Sequence, residues 1–323
     1  MKLYATLPPP QIKNLLLVGA GLIGGSLTLA LKNAGVVQNV TGIGRRVEVM
    51  QHAVELGLID RFVQPNTPEY AAAVASADVI VLAMPVGQTQ AVLRDLLPHL
   101  APHTIITDAG STKQSVYDDA RAVLGERIHQ FVLAHPIAGR EVNGPQAALA
   151  DLYVNKKIMV CPLPQPAHNT PEQITTVVAM WQATGGLVYQ MDLQAHDAIF
   201  AAVSHVPHVL AYALMNHVAD SNLSDDKFAM AGAGFRDFTR IAAGSPEMWR
   251  DISAANRGAL REQLTAYRKR LDEFDRWLAR ANGEDILAIE RAYARASSAR
   301  RAWQRHIEHG EPMPRLGGGG QEE

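Results

Sequence analysis

The chain is nearly devoid of cysteine: among 323 residues only Cys161 is present. One thiol cannot form an intramolecular disulfide, so the fold must rest on its core, and a reducing compartment is compatible with it. Charge of one sign is lacking too. Lys and Arg number 30 against 32 Asp and Glu, a formal net charge of -2 with a pI of about 6.6. That balance leaves no electrostatic footprint for nucleic acid or an anionic membrane. Residues 1–14 are Pro-rich and lack the long apolar core of a signal peptide. A metal-ligand set is missing as well. His205 and His208 are three apart, but no convincing third ligand accompanies them, so no metal is expected. What the chain does have is apolar material, 47% of it, which over this length suffices for two domains.

Apolar runs at 14–20, 39–44, 78–84, 103–109, 130–135 and 156–162 read as strands, most of them separated by helical patterns. Such alternation predicts an α/β Rossmann-type, doubly wound parallel sheet. A Pro-rich connection (162–171), a helix (172–184) and a strand (186–191) complete a dinucleotide-binding domain over 11–191. After Asp192 the strand signals stop. Helices are expected over about 193–219, 246–281 and 284–306, giving an all-α domain over 192–312. Ser245 as N-cap, Pro246 in the first helical position and Glu247 at the positive end mark the start of the second of these. Residues 198–219 are apolar enough to suggest a membrane span. They also carry Ser204, His205, Pro207, His208, Asn216 and His217, so the segment is read as a helix buried in protein. A few long helices, one apolar nearly all round, cannot bury that surface alone, and a homodimer through this domain is expected. The Gly-rich end, 313–323, reads as a flexible tail. The chain is read as soluble and cytoplasmic, acting on a small molecule, with neither nucleic acid nor membrane as a partner.

The sequence GAGLIG, Gly19 to Gly24, fits G-x-G-x-x-G after a strand and at the opening of a helix. Gly19 serves the tight turn, Gly21 the approach of a pyrophosphate, and Gly24 the helix–strand packing. Leu22 and Ile23 within the loop, and Pro85 after the third strand, are counted with them as cofactor contacts. An acidic residue about 20 positions beyond the motif would bond the ribose 2′-hydroxyl of NAD. Here Gly44, Arg45 and Arg46 occupy that region, with no carboxylate until Glu48. Two guanidinium groups suit a 2′-phosphate, so NADP is favoured over NAD. The alternative is a pair of solvated arginines at a helix start.

Ligands of open α/β sheets sit beyond the carboxyl ends of the strands. The fourth strand ends in DAGSTKQS, with Asp108, Ser111, Thr112 and Lys113; the fifth ends in His135. Ser111 and Gln114 form S-x-x-Q, a capping box, and a capping role is compatible with a substrate or cofactor contact. For His135 the bland reading is a satisfied buried histidine. Its position favours a proton acceptor for an alcohol losing hydride, a task that suits imidazole. In the helical half, VSHVPH brings Ser204, His205 and His208 within about one turn. The stretch 231–251 mixes glycines with Arg236, Asp237, Arg240 and Trp249, a composition able to clamp a carboxylate.

Taken together, GAGLIGGS, DAGSTK, HPIAGRE, VSHVPH and GFRDFTRIA…PEMWRD resemble the prephenate dehydrogenase family, which includes arogenate and cyclohexadienyl dehydrogenases. The resemblance runs from about residue 13 to about 275, and the last four motifs in this order are highly specific. It implies oxidative decarboxylation of prephenate to 4-hydroxyphenylpyruvate, or of arogenate to tyrosine. By resemblance His135 would accept the ring-hydroxyl proton and Ser111 would bond the same hydroxyl. Arg240 would bind a substrate carboxylate, and Ser204, His205 and His208 would line the pocket. Glu141, Asp237 and Trp249 would shape or gate it, the last two from this chain or from a partner subunit. The chain departs from the family at Arg45 and Arg46, which replace the acid of NAD-using relatives, and at Ala233, where many relatives have glycine. A β-hydroxyacid dehydrogenase reading would need a lysine on the interdomain helix, which offers histidines instead. A non-enzymatic NADPH-binding sensor would not need the proton acceptor and carboxylate clamp that this chain keeps.

Overall fold

The computed structural model describes residues 1–140, 142–166 and 168–313. It forms two compact units, Met1–Arg261 and Glu262–Glu323. Glu141, expected to shape the site, lies outside the described residues, as does most of the expected tail.

The first unit is built on nine strands: Lys2–Leu3 (β1), Ile12–Val18 (β2), Val37–Ile43 (β3), Arg61–Val63 (β4), Val79–Leu82 (β5), Ile105–Asp108 (β6), Phe131–Pro136 (β7), Lys157–Cys161 (β8) and Leu187–Gln190 (β9). They lie in the order β1-β9-β8-β7-β6-β5-β2-β3-β4. The run from β4 to β7 is parallel throughout. The expected parallel sheet is extended beyond β7 with two antiparallel pairings, β7 with β8 and β1 with β9. Among the described residues no α-helix intervenes between β7 and β8, and the chain returns alongside itself instead of crossing over. β1 falls in the segment read only as a short Pro-rich start.

The helices of this unit are Leu22–Asn33 (α1), Val47–Glu55 (α2), Pro68–Ala75 (α3), Thr89–Leu96 (α4), Gln114–Leu124 (α5), Pro171–Ala183 (α6), Leu193–Phe200 (α7), Val206–Ala219 (α8), Ser224–Ala229 (α9), Ala233–Thr239 (α10) and Pro246–Ala255 (α11). The central strand shows why the sheet needs cover on both sides. Leu15 and Leu17 enter a core with Leu27, Leu31 and Trp181, while Leu16 and Val18 enter a second with Tyr70, Leu93 and Phe131. The period-2 alternation of a strand sends successive side chains to opposite faces, and here both faces are apolar. Thr170 caps α6 with the reciprocal Gln173 bond of a capping box.

Helix Arg257–Arg280 (α12) runs out of the first unit, and Gly283–His309 (α13) follows it. The Asn282 side chain accepts from Glu284 and Asp285 N–H groups to start α13. The Phe274 and Tyr293 rings stack with centroids 5.4 Å apart. One helix expected over 246–281 is in fact two, because Asn256 interrupts it. Its backbone leaves the helical region and its buried side chain turns inward to serve other partners.

The apolar segment 193–219 is helical from end to end but is not uniform. Residues Ala201–His205 form a π-helical turn between α7 and α8. Pro207 stands in the first turn of α8, where it has no N–H to offer the turn before it, and the helix widens there. This 27-residue stretch, Leu193–Ala219, is long and apolar enough to cross a membrane. It is not buried within one chain as expected: most of its apolar surface is left uncovered. Val203 is 66% exposed and Ile199 44%.

Candidate active site

β2 runs into the glycine loop and β3 lies on one side of it, while the chain resumes on the other side with β5. The strand order therefore reverses between β2 and β5, and a crevice opens at their carboxyl ends. Gly19 has φ +100°, and a Cβ there would meet the Ala83 carbonyl oxygen at 2.7 Å. A Cβ on Gly24 would meet the Gly19 oxygen at 2.2 Å and Leu17 and Ala83 side chains within about 3 Å. Only glycine fits at either position. Gly21 differs: it caps α1 without a side-chain bond, and a Cβ there would meet nothing within 4 Å. It faces open space at a helix N-terminus, as a pyrophosphate cradle requires.

That space is a cleft of about 770 Å³ lined by Gly19, Gly21, Gly44, Arg45, Arg46, Pro85 and others. Leu22, Ile23, Gly24 and Ser111 are not among its lining residues; Leu22 and Gly24 are buried behind the loop. Sequence reasoning missed Met84 and Gln88 beyond β5, and Glu247, which α11 brings over the cleft. Arg45 and Arg46 are exposed at the start of α2. No acidic side chain stands between Ile43 and Val47. The residues present thus fit a nicotinamide dinucleotide, with its phosphates at Gly21.

His135, on β7 opposite Met159 of β8, is 9% exposed. Its Nδ1 lies 2.8 Å from Nε2 of His196, and His196 Nδ1 lies 2.8 Å from Oδ1 of Asp197. Phe200 packs against both imidazoles, at 5.0 Å and 4.5 Å between centroids. Asp197 also accepts the N–H groups of Lys113 (2.8 Å) and Gln114 (3.0 Å). This corrects the expected capping box. α5 begins after Lys113 with no side-chain cap of its own, and Gln114 donates to Asp118 instead. Asp197, from a distant helix, caps α5, and Ser111 is left out of that role.

Beneath His135 lies a buried ion pair. Lys113, fully buried, donates to Asp108 and to the Ala134 carbonyl at 2.7 Å. Asp108 further accepts from Gly110 N (2.9 Å) and Ala134 N (3.0 Å). The pair ties the end of β6 to the residue before His135.

Ser204, His205 and His208 are brought together by the π turn. His208 donates from Nδ1 to the Ser204 carbonyl at 2.8 Å, and its ring stacks on Trp249 at 3.5 Å. Trp249 therefore reaches this cluster from its own chain, on α11. Gly244 leaves room for it: a Cβ there would meet the indole nitrogen at 2.8 Å. Buried Asn256 donates to His205 Nδ1 (3.1 Å) and to the Asp197 carbonyl (2.8 Å). Asp237 is exposed and pairs with its neighbour Arg236 at 3.4 Å; Arg240, also exposed, opens the turn after α10. His196, Asp197 and Asn256 escaped sequence reasoning. The dipeptide His196-Asp197 resembles any polar pair on a helix, and Asn256 sits in an unbroken helical pattern.

Burial lowers the His135 pKa well below 6.5, helped by the Lys113 ammonium and by the neighbouring His196 and His205, against which a second imidazolium would be repelled. Burial likewise lowers His196, against the pull of Asp197, and lowers His205 to about 4. Asp197 is held below the ordinary carboxylate range despite burial, by its bonds from His196 and Lys113. Each imidazole is neutral in the fold and binds a proton more readily when unfolded. Stability contributed this way is complete above 6.5 and is lost as pH falls toward about 4. Asp197 adds loss only below the ordinary carboxylate range. The urea midpoint is expected to fall between about pH 7 and about pH 5; an unchanged midpoint would contradict this burial.

Residues 27–190 match the nucleotide-binding domain of prephenate dehydrogenase, and 192–291 its dimerization domain. The prephenate dehydrogenase of Bacillus subtilis is 33% identical over 279 residues, 85% of this chain and 73% of that one. The chain belongs to the prephenate dehydrogenase family. The cyclohexadienyl dehydrogenase of Zymomonas mobilis is 32% identical over 85% of this chain and 92% of its own length. The crystal structure of prephenate dehydrogenase from A. aeolicus, in complex with hydroxyphenyl propionate and NAD+, superposes with a TM-score of 0.79. It is 31% identical and covers 90% of this chain and 99% of its own. These relatives are dehydrogenases, so the chain belongs to a family of oxidoreductases that use a nicotinamide cofactor.

Proposed function

We propose that this chain oxidatively decarboxylates prephenate to 4-hydroxyphenylpyruvate, in the biosynthesis of tyrosine, with NADP preferred over NAD. The observation that carries the reading is a buried imidazole at the end of β7, backed by a hydrogen-bonded chain, in a fold whose glycine-loop cleft opens at the same edge of the sheet. His135 takes the proton of the ring hydroxyl, and Ser111 bonds that hydroxyl and orients it. A bound nicotinamide would supply the hydride acceptor for the hydroxyl-bearing carbon. Loss of carbon dioxide then makes the ring aromatic and drives the reaction forward. Arg240 binds a substrate carboxylate, and Ser204, His205 and His208 line the pocket under Trp249. Glu141, Asp237 and Trp249 shape or gate the site.

The exposed apolar surface of 193–219 favours a homodimer of a cytoplasmic enzyme, since a second copy would cover it. The polar atoms of this helix are engaged within the chain, as at His205 and His208, which speaks against a membrane span. Arogenate is the second substrate reading, because it differs from prephenate only by an amino group in place of the side-chain keto group.

Steady-state turnover of prephenate and arogenate, each with NAD and NADP, tests the proposal. Prephenate with NADP is expected to give the highest kcat/KM, and no turnover in any of the four combinations would refute it. Replacing Arg45 and Arg46 together by Ser is expected to raise KM for NADP by about 10- to 100-fold, the worth of a charge-assisted hydrogen bond, and to leave NAD nearly unaffected. Equal effects on both cofactors would contradict a 2′-phosphate site there.

A further inference from the structure

The contacts behind His135 form a line in which every donor and acceptor is determined. Asp197 is acceptor only, and the Lys113 and Gln114 N–H groups already point at it. His196 Nδ1, 2.8 Å away, must carry its proton there; without it, a nitrogen lone pair would face a carboxylate. A neutral His196 then has a bare Nε2. At 2.8 Å from that atom, His135 Nδ1 must be the donor. His135 is left with Nε2 unprotonated. With both imidazoles neutral and Asp197 ionised, no other proton arrangement makes each contact a donor–acceptor pair. The other charges around His135 are accounted for. Lys113 is closed off by Asp108 and the Ala134 carbonyl, and His205 accepts from Asn256.

We infer that Asp197 and His196 are a positioning relay for His135, fixing it in the tautomer whose Nε2 is bare and sharing the charge once that atom is protonated. The inference rests on the reading of His135 as the proton acceptor. The hydroxyl proton of the substrate goes to His135 Nε2; the His135 Nδ1 proton shifts to His196 Nε2; the resulting imidazolium of His196 stands against the Asp197 carboxylate. One proton enters the line and none is lost from it. Asp197 adds a second duty, since the same carboxylate caps α5, which carries the Ser111 turn at its start. The base is thereby registered to the loop expected to hold the same hydroxyl. Phe200, against both rings, holds their planes.

The test uses the full-length enzyme labelled with ¹⁵N at histidine, with variants assayed at saturating substrate and cofactor. Near neutral pH, His135 of the wild type is expected to be protonated at Nδ1 and bare at Nε2. His196→Leu removes the acceptor; the His135 tautomers should mix, and kcat should fall about 10- to 100-fold, less than the loss of the base itself. His196→Gln offers an oxygen to His135 and an N–H to Asp197. It should restore the tautomer and part of kcat, while KM for the cofactor stays put in both. A wild-type His135 protonated at Nε2 would overturn the relay, as would kcat within about twofold of wild type in both variants. Equal losses in Leu and Gln variants of matched Tm would mean packing alone, and would also overturn it. If His196→Leu does not fold, the wild-type spectrum and the Gln variant still decide. His135→Asn separates the two levels. If it keeps kcat, the base assignment falls and the relay with it; if it loses kcat while His196→Leu does not, only the relay falls.

Discussion

His135→Asn is expected to lower kcat by about 10²–10⁴-fold, the usual worth of a positioned general base, while KM for the cofactor hardly changes. Asn keeps a polar atom at the end of β7 and an N–H for His196, but it has no basic nitrogen. His135 is not among the residues lining the nucleotide cleft, so cofactor binding has no reason to suffer. The pH dependence follows from the same burial. The His135 pKa lies well below 6.5, so the base form persists through neutral pH. The kcat/KM of the wild type should therefore be level across neutrality, with its acid limb below 6.5, and the variant should lose that limb. A joint loss of turnover and cofactor affinity would make His135 a structural histidine and contradict its proposed role.

Lys113→Met is expected to destabilise the chain by about 3–5 kcal/mol, the cost of breaking a buried ion pair by removing one partner. Lys113 is fully buried and Asp108 nearly so, and among the described residues the ammonium has two acceptors, Asp108 and the Ala134 carbonyl. Met fills the space of the lysine stem but leaves the Asp108 carboxylate without its counter-charge, held only by the Gly110 and Ala134 N–H groups. The double variant Lys113→Met with Asp108→Leu should recover part of the loss, because a buried pair replaced whole by apolar groups is often tolerated. Urea unfolding of the single and double variants measures both. A single variant as stable as wild type would show that the pair contributes nothing to holding β6 against β7.

The strands were legible because a covered sheet demands apolar runs, and Leu15–Val18, Val79–Leu82 and Phe131–Ala134 are such runs. The glycine loop was legible because Gly19 and Gly24 have no room for a Cβ. Arg45, Arg46 and His135 could be placed from strand ends alone. Three-residue β4 and the antiparallel return from β7 to β8 could not, since neither a short strand nor a pairing direction leaves a mark on hydrophobic periodicity. Asn256 breaks a helix whose pattern continues on either side, and it does so to reach His205 and the Asp197 carbonyl, partners more than 50 residues away. Asp197 capping α5 across 84 residues is invisible for the same reason, and a local S-x-x-Q stood in its place. The relay is made of tertiary contacts, while the residues at its catalytic end lie where a strand stops.

Under the proposed function, each oxidation assisted by His135 is followed by the loss of one carbon dioxide. Incubating the purified enzyme with limiting prephenate and excess NADP, and measuring reduced nicotinamide and carbon dioxide in the same vessel, tests it directly. Equal amounts of the two are expected, rising together and slowed together in His135→Asn. Carbon dioxide released without cofactor reduction, or no reduction at all, would contradict it.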